Sequence, residues 1–137
     1  MNIKSEELRL NNLVRLKDKG VYQLDTFHDL EEVTDFLEDT DYCVGVVLNK
    51  YNVSKYFGDV EVWGTKIDAE IEEEYDLLVF KNVVDGTSDI RLHFYTDGRV
   101  EFWIDDDELL HIPQLTYVHH FQNAFYVIAG FDAVVKL

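Results

Sequence analysis

Cysteine occurs once, at Cys43, so the chain closes no disulfide on itself and offers no zinc site built on paired thiols. A reducing compartment suits that usage. Proline also occurs once, at Pro113, and glycine seven times, too few for a linker-dominated or low-complexity chain. Nowhere do about 18 consecutive apolar residues occur, as a membrane-spanning helix needs. The start, MNIKSEELRL, has no continuous apolar core of the secretory kind. The expectation is a cytoplasmic protein without membrane attachment. Basic residues are scarce too: 12 Lys and Arg against 28 Asp and Glu leave a formal net charge of -16. A field of that sign repels phosphate backbones and anionic lipid, which disfavours direct nucleic-acid binding and points to basic protein surfaces or cations as partners.

What is present is core material. Hydrophobic residues make up 47% of the 137, with 9 Phe, 8 Tyr and 2 Trp. A chain of this length fits a single domain, residues 1–137, able to bury roughly two-thirds of its unfolded surface. The segment from Ile112 to Gly130, IPQLTYVHHFQNAFYVIAG, contains no Asp, Glu, Lys or Arg. Leu115, Val118, Gln122 and Phe125 repeat at helical spacing, and Tyr117, Phe121, Ala124 and Ile128 fill a neighbouring stripe. The pattern predicts a helix covered on most sides, with Pro113 in its first turn and Gly130 just past its end.

Around it the chain reads mostly as short strands. Residues 8 to 16 and 21 to 27 flank Lys17-Asp18-Lys19-Gly20 as a hairpin. Residues 29 to 41 carry Leu30, Val33, Phe36 and Leu37 at spacings of three and four, a short helix capped by Asp29, with Asp35, Glu38, Asp39 and Asp41 on its solvent side or at its exit; a loop is the alternative, since acids at the C-terminal end oppose the helix dipole. Residues 42 to 48, YCVGVVL, read as a buried strand, and 52 to 57 as a helical turn stopped by Gly58. Strands follow near 60 to 65 and 75 to 81, joined by an extended stretch in which Ile67, Ala69 and Ile71 alternate with Asp68, Glu70 and Glu72. The strongest local signal is IRLHFYTDGRVEFWI, residues 90 to 104, a hairpin turning at Asp97-Gly98. The tail FDAVVKL either adds a last short strand or packs on the sheet. Together these give an α+β fold: a curved antiparallel sheet or partly open barrel packed on one C-terminal apolar helix.

Three stretches carry a family likeness: Leu8-Arg9-Leu10-Asn11-Asn12 at the start, Gly45-Val46-Val47-Leu48 leading to Tyr56-Phe57-Gly58, and Tyr117-Val118-His119-His120-Phe121-Gln122-Asn123-Ala124-Phe125-Tyr126 before Gly130. In this the chain resembles a group of small uncharacterised proteins of Bacteroidetes and their phages. Those open on an LRIGN-like strand and close on a tyrosine, valine and histidine helix rich in Gln, Asn and aromatics. Asn11 stands where that group has glycine. The resemblance implies a bacterial or phage context and transfers no catalytic residue.

Candidate chemistry is sparse. His119 and His120 are neighbours, so on a helix they diverge by about 100° and lack the i, i+4 geometry of a chelating pair. The expectation is no metal, no cofactor and no catalytic residue, with one of these histidines packed or hydrogen-bonded inside. His93 and His111 can approach in space, though nothing in their spacing requires it. Gln122 and Asn123, in an otherwise apolar helix, must find partners: strand ends or loop backbone, or else the polar floor of a pocket. Acids cluster at Asp29–Asp41, Asp68–Asp76 and Asp105–Glu108, with neither an EF-hand array nor a specific carboxylate pair. Asp68, Glu70, Glu72, Asp105, Asp106, Asp107 and Glu108 are therefore candidate partner-binding residues. The reading is a non-enzymatic acidic binding protein acting by protein–protein contact, an inhibitor of a host system being one form of that role, with self-association as a further option. Two alternatives stand beside it: a duplex mimic that occupies the basic groove of a DNA-binding enzyme, and a small ligand-binding or enzymatic barrel using Tyr117, His119, His120 or Trp103.

Overall fold

A computed structural model describes residues 3–35, 37, 42–108 and 115–137. The fold is α+β, as expected, built from two antiparallel sheets rather than one. The smaller sheet comprises β1 (Leu13–Leu16), β2 (Gly20–Gln23) and β3 (Cys43–Gly45), in the order β2-β1-β3. The larger comprises β4 (Val60–Asp68), β5 (Glu73–Val84), β6 (Ser88–Tyr95), β7 (Val100–Ile104) and β8 (Asp107–Glu108), in sequence order. Such a meander needs only tight turns between neighbours. Among the described residues neither sheet closes into a barrel.

The first hairpin forms about the expected turn but is shorter, because residues 8–12 do not join the ladder. Asn11 there has φ 74°, the left-handed region that asparagine tolerates better than most side chains, and its amide bonds to the Leu24 carbonyl at 2.7 Å. Helix α1 (Phe27–Asp35) starts two residues before Asp29. Thr26 provides the cap, its hydroxyl oxygen accepting from the Asp29 amide at 3.1 Å, so Asp29 sits in the first turn instead. The expected continuation through Phe36, Glu38, Asp39 and Asp41 lies outside the described residues. Helix α2 (Lys50–Tyr56) is capped by Asn49, and it ends at Phe57 in extended backbone, not through a left-handed glycine at Gly58. Strand β4 runs to Asp68, and residues 69–72 form a turn instead of an extended connection. The hairpin at Asp97-Gly98 is as expected, with Gly98 at φ 91°. The tail adds a single bridge, Val135 to Phe57.

Helix α3 (Val118–Ala129) begins after Tyr117 and ends where the sequence indicates: Gly130 takes φ 82° and its amide closes on the Tyr126 carbonyl at 2.9 Å. Leu115, Thr116 and Tyr117 are not helical, so the helix does not start with Pro113 in its first turn as expected; Ile112 and Pro113 themselves lie outside the described residues. Cover on most sides is not what the helix has. Val118, Phe121, Gln122 and Phe125 are buried along one face, whereas Val127 is 77% exposed and Tyr126 also faces solvent. An uncharged helix need not be a wrapped one, because single apolar residues on a surface cost little.

The buried face of α3 meets the inner face of the larger sheet. Leu78, Leu92 and Phe102 lie in register across β5, β6 and β7, and Phe57, Phe80, Phe121 and Phe125 interlock above them, with Phe57 and Phe121 edge to face at 5.3 Å. Strand β1 links two cores because successive side chains point to opposite faces: Leu13 enters this cluster, while Val14 and Leu16 enter a second one with Val33, Leu37 and Cys43. Burial raises the Cys43 thiol to about 11, so it behaves as a small hydrophobe. Gln122 and Asn123 find backbone partners, as a register-fixing role requires. Gln122 Oε1 accepts from the Leu13 amide at 2.7 Å and its Nε2 donates to the Asn11 carbonyl at 2.9 Å. Asn123 Nδ2 donates to the Glu7 carbonyl at 2.8 Å, and its Oδ1 accepts from Asn12 and Arg9. These bonds fasten the amino-terminal segment along α3. Among the described residues no helix is long and apolar enough to cross a membrane.

Candidate functional site

Strand register decides what the outer face of the larger sheet displays. With Leu78, Leu92 and Phe102 turned inward, the alternate positions Tyr75, Leu77, Arg91, His93, Glu101 and Trp103 face the other way. His93 pairs with Leu77 on one side and Glu101 on the other, so Tyr75 and Trp103 reach it diagonally. The three rings stack in parallel. Tyr75 and His93 lie 4.2 Å apart with planes 2° off parallel, and His93 and Trp103 lie 4.7 Å apart at 3°.

This stack lines an open recess of about 290 Å³. The end of the β4–β5 hairpin contributes Ile67, Asp68, Ala69 and Glu70 to its wall, and the turn after β7 contributes Asp105 and Asp106. Two of the three acidic clusters thus converge on one hollow. Of the seven candidate acids, Asp68, Glu70, Asp105 and Asp106 line it. Glu72 and Asp107 do not: Glu72 closes the hairpin turn, its amide on the Asp68 carbonyl at 2.7 Å, and Asp107 is exposed on β8. The Glu108 side chain lies outside the described part. No residue of α1, which carries the first cluster, reaches the recess lining. His111, the suggested partner of His93, also lies outside the described residues.

The polar groups of the recess are held in place by one another. Glu101 Oε1 accepts from the Tyr95 hydroxyl at 2.8 Å and from Trp103 Nε1 at 3.2 Å, which fixes the indole. Asp89 and Asp105 are tied backbone to side chain: the Asp89 amide donates to Asp105 Oδ1 at 2.8 Å, and this bond, with a further one from Ser88, holds the Asp105 carboxyl below the usual range. Among the described residues Arg91 is the only Lys or Arg in the lining. Its guanidinium lies 5.3 Å from the Trp63 ring, 3.2 Å from Asp106 Oδ1 and 3.8 Å from Asp89 Oδ2. His93 is buried, with 6% exposure, and among the described residues its Nδ1 has no hydrogen-bond partner. Burial pushes its pKa down to about 4, against the pull of the nearby Glu101 charge, so the ring is neutral at pH 7.

A larger hollow of about 500 Å³ lies between α2 and the ends of β5 and β6. There Lys50 Nζ sits 2.6 Å from Asp76 Oδ2, which raises the lysine and lowers the aspartate. The smaller recess is the one in which acids outnumber cations. Chemically it offers flat π faces and carboxylates to a cation. Comparison with family models, with curated proteins and with solved structures finds no match. The class of object is therefore given by geometry alone: an α+β protein whose open five-stranded sheet carries a helix on one face and an acid-rimmed aromatic hollow on the other.

The sequence singled out the acids and Trp103, and missed Tyr75, Arg91 and the placement of His93. The signal was present in the strand alternation of residues 90 to 104, where Arg91, His93 and Tyr95 fall on the opposite phase to Ile90, Leu92 and Phe94.

Proposed function

We propose that this is a non-enzymatic acidic binding protein that acts through protein–protein contact and receives a basic side chain of its partner in the outer-face recess. One observation carries the reading: Asp68, Glu70, Asp105 and Asp106 surround a stack of three aromatic rings. A guanidinium suits such a site better than an ammonium, since it stacks on a ring and pairs with carboxylates in the same pose. Arg91 already shows the pattern within the chain, lying over Trp63 and against Asp106. The resemblance to bacterial and phage proteins supports action in the bacterial cytoplasm, the host's if the protein is phage-encoded, and fits an inhibitor of a host system.

The test is titration with an arginine-rich peptide, followed by tryptophan fluorescence at low and high salt. Binding is expected to weaken with salt and to fall several-fold in Asp105→Asn/Asp106→Asn and in Trp103→Ala. No binding, or binding indifferent to salt and to both variants, would overturn the proposal. The duplex-mimic reading draws on the same convergence of two acidic clusters, and the Trp103→Ala variant separates it: mimicry by carboxylates alone survives loss of the ring.

A further inference from the structure

A second group of polar side chains assembles where Glu7 meets the first turn of α3. The 3-10 turn Ser5–Glu7 is pinned there by the bond from Asn123 Nδ2 to the Glu7 carbonyl, 2.8 Å long. Glu7 Oε1 lies 3.4 Å from His120 Nε2, and Glu7 Oε2 lies 3.9 Å from His119 Nε2. One donor atom from each of the three residues falls within 4.8 Å of the others. Ligand atoms around a tetrahedral zinc stand about 3.3 Å apart, given bonds of about 2.0 Å, so small rotations bring this set to that geometry.

The two neighbouring rings converge because they do so at a helix start. His120 turns back toward the preceding backbone, its Nδ1 lying 3.3 Å from the Tyr117 amide nitrogen and 3.4 Å from that of Thr116, and this aims Nε2 at Glu7. His119 stacks beside the Tyr117 ring at 5.6 Å, and the two imidazoles meet edge to face at 4.4 Å. The divergence expected of helical neighbours at Cβ is overcome by the ring torsions.

An independent observation concerns His119 alone. It has 0% exposure, and among the described residues neither ring nitrogen has a hydrogen-bond partner. Buried polar atoms are ordinarily satisfied, and Nε2 here points toward the Glu7 carboxylate from just beyond bonding distance. We propose that Glu7 and the Nε2 atoms of His119 and His120 form a binding site for a divalent transition-metal ion of the zinc class, with a remaining position open to water or to a side chain of a partner. Two imidazoles and one carboxylate suit that class and not magnesium or calcium, which take oxygen ligands. The amide contacts on His120 Nδ1 leave its Nε2 as the ring nitrogen that faces Glu7.

The experiment is calorimetric titration of the chelator-stripped full chain with Zn²⁺, with Co²⁺ as a spectroscopic probe and Mg²⁺ as the control. One Zn²⁺ per chain is expected, with Co²⁺ giving ligand-field bands and Mg²⁺ giving no matching uptake. His120→Ala and Glu7→Gln, at half-buried positions that leave the core intact, are each expected to weaken Zn²⁺ at least about tenfold. Asp105→Asn/Asp106→Asn is expected to leave it unchanged. Zn²⁺ binding no tighter than Mg²⁺, binding indifferent to His120→Ala and Glu7→Gln, or binding lost with the Asp105 and Asp106 changes would each overturn the site.

Discussion

His93 and His119 are both shut away from water and both held neutral by burial, yet the chain surrounds them in opposite ways. His93 is clamped between two rings on a sheet face, where strand register fixes Tyr75 on one side and Trp103 on the other. His119 sits at a helix start, in a seam of polar groups where Glu7, Asn11, Asn12, Gln122 and Asn123 bind the amino-terminal segment to α3. The first is a packing solution: the imidazole serves as a flat surface, and its unpartnered Nδ1 is the cost. The second is a hydrogen-bonded solution in which one member, His119, is left out. The same residue type is thus an aromatic slab in one place and an unsatisfied donor set in the other.

The widest test of that comparison is pH, because there the two sites should behave alike. Both folded pKa values lie below the ordinary histidine value, so the unfolded chain binds more protons between about 6.5 and 4, and stability is complete above that window and lost as pH falls through it. For a shift of this size the loss between pH 7 and pH 5 is about 2 kcal/mol per histidine, about 4 kcal/mol for the two. Acidification also relieves the self-repulsion of a strongly acidic chain, which acts in the other direction. His93→Phe isolates the term, since it keeps a ring in the stack and the same charge background. Urea unfolding of chelator-treated protein is expected to show wild type losing about 2 kcal/mol more than His93→Phe over that range. Parallel pH curves would show that His93 is not the neutral slab described.

Gln122→Leu breaks only the polar seam. It strands the Leu13 amide and the Asn11 carbonyl, both of which lose their partner at the heart of the joint between β1 and α3. A loss of about 2 to 3 kcal/mol is expected by chemical denaturation, with the aromatic stack and its tryptophan emission unchanged. A smaller effect is expected of Gly45→Ala. A Cβ there would lie 2.5 Å from Tyr117 ring carbons, so the ring must move, and with it the stack on His119. Overpacking of this kind costs about 1 to 2 kcal/mol, read as a lowered melting temperature, again without change at the Trp103 side.

Local chemistry made much of the fold legible. The Asp97-Gly98 hairpin, the left-handed stop at Gly130 and the 3.6 periodicity of residues 118 to 125 are each written within a few consecutive residues. The cap of α1 was misplaced to Asp29 because acids crowd that stretch and mask the hydroxyl of Thr26. The wrapped helix was an overreading of the same sort. Absence of charge marks a segment that tolerates burial, while Val127 and Tyr126 show that the tolerance is only half used.

By itself the sequence determined the charge, the core content, the α+β class and the residues able to meet a cation, since these follow from composition and from periods of two and 3.6. Tertiary structure alone decided which of those residues meet. Asp68 joins Asp105 only through the register of four strands, and Glu7 joins His119 and His120 only because Asn123 holds the amino-terminal turn against α3 across 116 positions of chain. Contacts that distant in sequence leave no local mark, because nothing in the spacing of either partner depends on the other.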